Sequence, residues 1–237
     1  MEELNSVCEL ELRKYNWSIM PKDVHSPQTY AWKIYIISQV FSQYDTFIWM
    51  DTSINLEDKK YLDPIFEAIE KGKISEMVFP GGAVHSLKYA INLRMFTYTP
   101  IITDWIKIEN QKWDAEMYDA NFIILHKSEA LLCAATKQCI HPDGSEFYCK
   151  SPRTTIGSCH RFDQSVMGIL NVNSEYKRSL IDKEFIPHFH ADHPRRKSKS
   201  SVRRREQLDK NLDFKKGSSV IPIELFLLKP GRGSWLK

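Results

Sequence analysis

The sequence predicts an α/β fold with a mostly parallel central sheet and flanking helices. Three observations lead there. The chain has 237 residues, 42% hydrophobic and 27% charged, which supplies one folded core and excludes disordered, collagen-like and coiled-coil classes. Short, continuously apolar runs, Thr46-Phe47-Ile48-Trp49-Met50 and Met77-Val78-Phe79, read as strands buried on both faces. Helical spacings separate them, and the order strand, helix, strand, helix, strand argues for right-handed parallel crossovers.

Taken in order, Glu9-Leu10-Glu11-Leu12-Arg13 alternates polar and apolar residues, as a half-buried strand does. Ser26-Pro27 reads as an N-cap followed by proline at the first helical position. Tyr30, Ile34, Ile37, Phe41 and Tyr44 then recur at three- and four-residue steps, giving a helix of about five turns. The strand at 46–50 ends in Asp51. Asp63-Pro64 opens a second helix with Ile65, Phe66 and Ile69 inward and Gly72 just past its end. After the strand at 77–79 and the turn Pro80-Gly81-Gly82, helices are expected at 101–112, 128–136 and 164–170. Phe122-Ile123-Ile124-Leu125 is another expected strand.

Charge divides the chain. Residues 195–237 hold 13 of the 33 Lys and Arg and 4 of the 30 Asp and Glu, a net +9 that leaves −6 on the rest. The run from Arg195 to Arg205 has no apolar periodicity, so the expected organisation is a folded domain over 1–194 and a basic, largely disordered tail over 195–237. No aromatic residue interleaves the basic run, which argues against a specific nucleic-acid partner. No stretch approaches the ~18 apolar residues of a membrane span. The N-terminus lacks a signal-peptide pattern. Cys133, Cys139, Cys149 and Cys159 form no C-x-x-C pair, so they read as free thiols or as a loop held by two disulfides. With the acceptor triplet Asn16-Trp17-Ser18, they point towards the secretory pathway.

Three clusters carry candidate chemistry. Asp51 follows the Trp49-Met50 run at a strand's carboxyl end, where α/β sheets bind ligands. It is placed either to hold a cation or a ribose, or to cap a turn. His160, Arg161, Asp163 and Gln164 open a helix, with Asp163 either capping it or joining the others on a polar substrate. His188-Phe189-His190-Ala191-Asp192-His193 reads as exposed histidines before the tail, with metal binding as the alternative.

Trp32-Lys33-x-x-Ile36-Ile37, Tyr44-Asp45, Trp49-Met50-Asp51-Thr52-Ser53-Ile54, Cys139-Ile140-x-Pro142-x-Gly144 and Cys159-His160-Arg161-Phe162-Asp163-Gln164-Ser165 resemble a family of largely uncharacterised animal proteins, expanded in nematodes. That family looks like a branch of the GT-A nucleotide-sugar glycosyltransferases, type II membrane proteins of the Golgi. The resemblance spans roughly residues 5–194. It implies a GT-A-like sheet lacking its first strand, an anchor upstream of this chain, and transfer of a sugar, usually from UDP, to a hydroxyl of a glycan or protein acceptor. A catalytically inactive relative serving as a binding or scaffold module is the alternative. In the family pattern Asp51, with His190 or His188, would hold Mn²⁺ or Mg²⁺, oxygen-seeking ions suited to phosphates. The motif here is Asp51-Thr52-Ser53, with one carboxylate where the pattern has two. Lys33, with Trp32 and Ser53, would face the nucleotide. Asp163 and Gln164, with His160 and Arg161, would lie at the reacting sugar.

Overall fold

A computed structural model describes residues 10–14, 16–20, 22–51, 54–100, 102–103, 105–106, 116–126, 140–146, 149, 155–157, 159–197, 200–202 and 224–228. Its regular elements are β1 (Leu10–Lys14), α1 (Ala31–Phe41), β2 (Thr46–Met50), β3 (Ile54–Leu56), α2 (Asp63–Glu70), β4 (Met77–Val78) and β5 (Gly82–Ser86). These are followed by β6 (Glu116–Tyr118), β7 (Phe122–His126), α3 (Phe162–Ile181), β8 (Ser200–Val202) and β9 (Glu224–Leu228). The helices expected at 101–112 and 128–136 lie largely or wholly outside the described residues, as do Ser53, Cys133 and Cys139.

The chain divides into two compact units. The smaller, residues 1–21 and 207–237, contains the antiparallel pair β1–β9, in which Leu12 lies opposite Phe226. Asn16 is exposed there and caps a 3-10 turn, its Oδ1 accepting from the Ser18 amide at 3.1 Å. The larger unit, residues 22–206, contains all the other elements.

The expected parallel sheet is not what forms. Every described strand pairing is antiparallel: a three-stranded sheet in the order β2-β7-β4, and the two-stranded pairs β3–β8, β5–β6 and β1–β9. The strand-helix-strand alternation is real, and β2 and β4 do run in the same direction, because both lie antiparallel to β7. They are not neighbours, however. The crossover through α2 skips one strand position, and β7, entering from later in the chain, fills it. Periodicity in a single segment carries no information about that insertion.

α2 lies on this sheet. Leu62, Ile65, Ile69 and Ile74 form one core with Val78, Phe122 and Ile124, with Phe66 partly buried against it. Gly72, at φ +65°, ends the helix in a left-handed turn that a β-carbon would strain. α1 differs from expectation at its start. Pro27–Thr29 is a separate 3-10 turn, and Tyr30 adopts φ 54°, so the α-helix begins at Ala31 and runs about three turns. Ile34, Ile36, Ile37 and Val40 are its buried face. α3 extends well beyond the expected 164–170, to 20 residues, packing on α1, on β6 and on the turn at Leu87–Ala90.

The expected disordered tail is also corrected at its start. Pro194–Lys197 is a 3-10 turn, and Ser200–Val202 is β8. Arg195 is 5% exposed. Its guanidinium donates to the Glu116 carboxylate and to the His188 carbonyl, each at 3.0 Å. Gly82 makes room for that carboxylate: a β-carbon there would clash with Glu116 Oε1. A charge run reads as solvated until a carboxylate in another element claims one member of it and that member is buried. No helix among the described residues is long and apolar enough to cross a membrane.

Candidate functional site

Four segments of the larger unit converge on one half-open cleft of about 170 Å³. The first turn of α1 brings Lys33, with Tyr30 just before it. The end of β2 brings Asp51. The link from β6 to β7 brings Asp119, Ala120 and Asn121. The start of α3 brings Arg161, Phe162, Asp163 and Gln164. One backbone bond joins two of these segments, and two further bonds fix the start of α3. The Asp51 amide donates to the Asn121 carbonyl at 2.8 Å, and the Arg161 amide donates to Ser165 Oγ at 2.8 Å and to the Ala90 carbonyl at 3.2 Å.

Lys33 organises the cleft. Its side chain is 4% exposed, and its ammonium donates to the Ala120 carbonyl at 2.9 Å. It sits 3.0 Å from Asp163 Oδ2 and 3.4 Å from Asp51 Oδ1. Those three acceptors match its three N–H donors. The Tyr30 and Trp49 rings lie 5.4 and 5.6 Å from the same nitrogen, within cation–π range. Trp49 also donates its indole N–H to Asp51 Oδ1 at 2.8 Å. Burial pulls the Lys33 pKa down, but Asp163 and Asp51 together outweigh it, so the ammonium is held charged and its pKa ends raised. Burial pushes the Asp163 carboxyl up, against the opposing pull of Lys33.

Opposite lies a second group. Gln164 donates to the Tyr118 carbonyl at 3.1 Å and to Asp119 Oδ1 at 3.3 Å, and accepts from Arg161 Nε at 3.0 Å. Partial burial raises the Asp119 carboxyl above its ordinary range, opposed by Arg161, His85 and Gln164. The cleft thus carries two cations against three carboxylates.

Tyr30 and Phe162 are the described non-glycine residues with positive φ, at 54° and 42°. Each immediately precedes or opens a helix, and both line the cleft. Side chains adopt this conformation at a cost of ~1–3 kcal/mol, and such strain gathers at functional sites. Here it turns the chain so that Lys33 and Asp163, each in a helix's first turn, face each other.

Of the residues singled out from sequence, Lys33, Asp51, Arg161, Asp163 and Gln164 meet in this cleft. The other described ones do not line it. Trp32 packs at 6.2 Å on Trp49 and donates its indole N–H to the Pro27 carbonyl. His160 is fully buried, its Nδ1 accepting from the Asn92 amide at 3.2 Å. His190 is half-exposed beside Asp192, at 3.6 Å. Sequence reasoning missed Tyr30, Asp119 and Asn121. The signal for the last two was a polar break, Asp119-Ala120-Asn121, between two apolar runs, marking where the chain leaves one sheet for another.

The divalent cation that the resemblance implies does not fit these residues. The Lys33 ammonium already sits between Asp51 and Asp163, where a bridging ion would lie, and Asp51 Oδ1 is also engaged by Trp49. Among the described residues, the grouping of His, Cys, Asp or Glu side chains close enough to share an ion is Glu175, His188 and His193, which contains neither Asp51 nor His190.

That grouping corrects a second expectation, since His188 and His193 are fully buried rather than exposed before a tail. His188 Nε2 accepts from the Phe79 amide at 3.1 Å, so its Nδ1 carries the hydrogen towards the Glu175 carboxylate. His193 Nδ1 accepts from the Arg195 amide at 3.2 Å, which leaves its Nε2 protonated. The ring nitrogens left over thus carry hydrogens rather than lone pairs, which does not suit a metal; that of His188 meets Glu175, and the buried Nε2 of His193 meets no hydrogen-bond partner among the described residues. Burial lifts the Glu175 carboxyl to about 8, against the His188 amide, Asn171 and Arg195. Burial likewise holds His188 far below the usual imidazole range.

No protein-family model, no curated protein and no solved structure matches this chain.

Proposed function

We propose that this protein is glycosyltransferase-like, moving a sugar from a nucleotide-sugar donor, a UDP-sugar foremost, to a hydroxyl of a glycan or protein acceptor. The observation that carries the reading is the meeting of Lys33, Asp51, Asp163, Arg161 and Gln164 in one cleft. These residues belong to the motifs that resemble a largely uncharacterised animal family, itself similar to the GT-A glycosyltransferases, and that resemblance is independent of their geometry. In the transfer, the bond from the anomeric carbon to the donor phosphate breaks and a bond to the acceptor oxygen forms. Asp119, made more basic by partial burial, takes the acceptor's proton. Lys33 is a positioning residue that holds Asp51 and Asp163 apart. The Cys149–Cys159 disulfide and the exposed Asn16 support action in the secretory pathway.

The test is release of nucleoside diphosphate from a panel of UDP- and GDP-sugars by the full chain, with mixed glycan acceptors. Turnover with one donor, reduced by ~10²-fold or more in Asp119→Asn, is expected. A folded protein that releases nothing across the panel refutes transfer and favours the non-catalytic relative.

A further inference from the structure

We infer that the cleft takes an uncharged polyhydroxy ring, and takes it without a divalent cation, Lys33 being the fixed positive charge. This rests on the sugar-handling reading of the same site and narrows it.

The balance of charge comes first. With Lys33 and Arg161 against Asp51, Asp119 and Asp163, the cleft is net negative, which disfavours a free diphosphate or carboxylate inside it and leaves a donor's diphosphate at its mouth. A cation would relieve that in a site built of carboxylates alone. Here the ammonium already bonds to Asp163 and Ala120 and faces Asp51, leaving no vacant point between Asp51 and Asp163.

The hydrogen-bonding inventory comes second. Lys33 and Gln164 spend their donors on the protein. What the cleft still offers is unspent carboxylate lone pairs on Asp119 and Asp51, and donors from Arg161 beyond its Nε. A sugar hydroxyl, which donates and accepts at once, satisfies both kinds. Tyr30, 38% exposed, adds apolar ring surface for the C–H face of a pyranose. Size agrees: about 170 Å³ falls short of the ~300–1,000 Å³ that encloses a larger ligand, so one ring enters and the nucleotide of a donor would lie beyond the cleft's mouth.

The experiment is saturation-transfer NMR on the full chain with methyl glycosides of glucose, galactose, mannose and their N-acetylamino forms. Each is run in excess EDTA and again with Mg²⁺. At least one glycoside should saturate equally in both, resist displacement by inorganic pyrophosphate, and lose about tenfold or more in affinity in Asp119→Asn. That half-exposed position spares the fold, and Asp51→Asn provides a second variant. Binding that requires Mg²⁺, displacement by pyrophosphate, or no saturation by any glycoside overturns the inference. Transfer and binding fail separately. Sugar-nucleotide turnover that needs a metal overturns cation independence and leaves transfer standing, whereas metal-free glycoside binding with no turnover does the reverse.

Discussion

Replacing Lys33 by methionine keeps most of the stem's volume and removes the ammonium. Asp163, whose side chain is 6% exposed, then loses its partner, as does the Ala120 carbonyl. Asp51 is 35% exposed and can turn to water, so it adds little. Breaking a buried ion pair from one side costs ~3–5 kcal/mol. Protonation of the stranded carboxyl caps that cost. From the ordinary value of 3.8, neutralising Asp163 at pH 7 takes about 4 kcal/mol, and at pH 5 under 2. In Lys33→Met the folded carboxyl therefore lies far above its unfolded value, and the deficit grows as pH rises. We expect a loss of about 4 kcal/mol at neutral pH in urea unfolding, or a fall of about 8–16 °C in Tm. Most of it should return in Lys33→Met/Asp163→Asn, where the amide needs no counter-charge. A deficit below about 1 kcal/mol, one independent of pH, or no recovery in the double variant would refute the reasoning.

Two further outcomes follow from buried groups elsewhere. Because the Glu175 carboxyl is raised from 4.5 to about 8, its contribution to stability is complete below the unfolded value and is lost as pH climbs towards 8. Melting temperatures measured from about pH 5 to pH 8 should therefore fall faster for the wild type than for Glu175→Gln, and parallel curves would count against it. The Cys149–Cys159 bridge closes a loop over a separation of 10 residues, so reduction, or Cys149→Ser, should cost about 2–3 kcal/mol in unfolding free energy. An unchanged Tm on reduction would contradict that.

Local pattern and remote pairing were unequally legible in the sequence. The apolar run at 46–50 coincides with β2, and those near 77–79 and 122–125 with β4 and β7; burial on both faces explains the last two, whereas β2 buries Trp49 and leaves Met50 exposed. Which strand lies beside which depends on β7 entering between β2 and β4, and nothing local in Phe122-Ile123-Ile124-Leu125 records its partner. The start of α1 misled for a related reason: Tyr30 keeps the helical spacing while its backbone turns left-handed. At the site, charged residues next to aromatic or apolar runs stood out. Asp119 did not, because its meaning comes from Gln164 and Arg161, more than forty positions away. His188 and His193 show the converse, since polar spacing alone read as a surface and their burial depends on Glu175 within α3.

The Lys33–Ala120 bond joins residues 87 positions apart, and the Gln164–Asp119 bond spans 45. A cleft sewn from such distant stretches has no precursor in any single fragment. It comes into being only when the last long loop closes, and it vanishes as soon as any one of its four segments detaches. Occupancy of the cleft thus reports on the integrity of the whole larger unit. A bound molecule adds its binding free energy to global unfolding rather than to a local loop, so protection of the slowest-exchanging amides in β7 should rise with ligand concentration. The same interdependence makes the cleft sensitive to damage far from it, since loosening α2 on its sheet reaches Lys33 through Ala120.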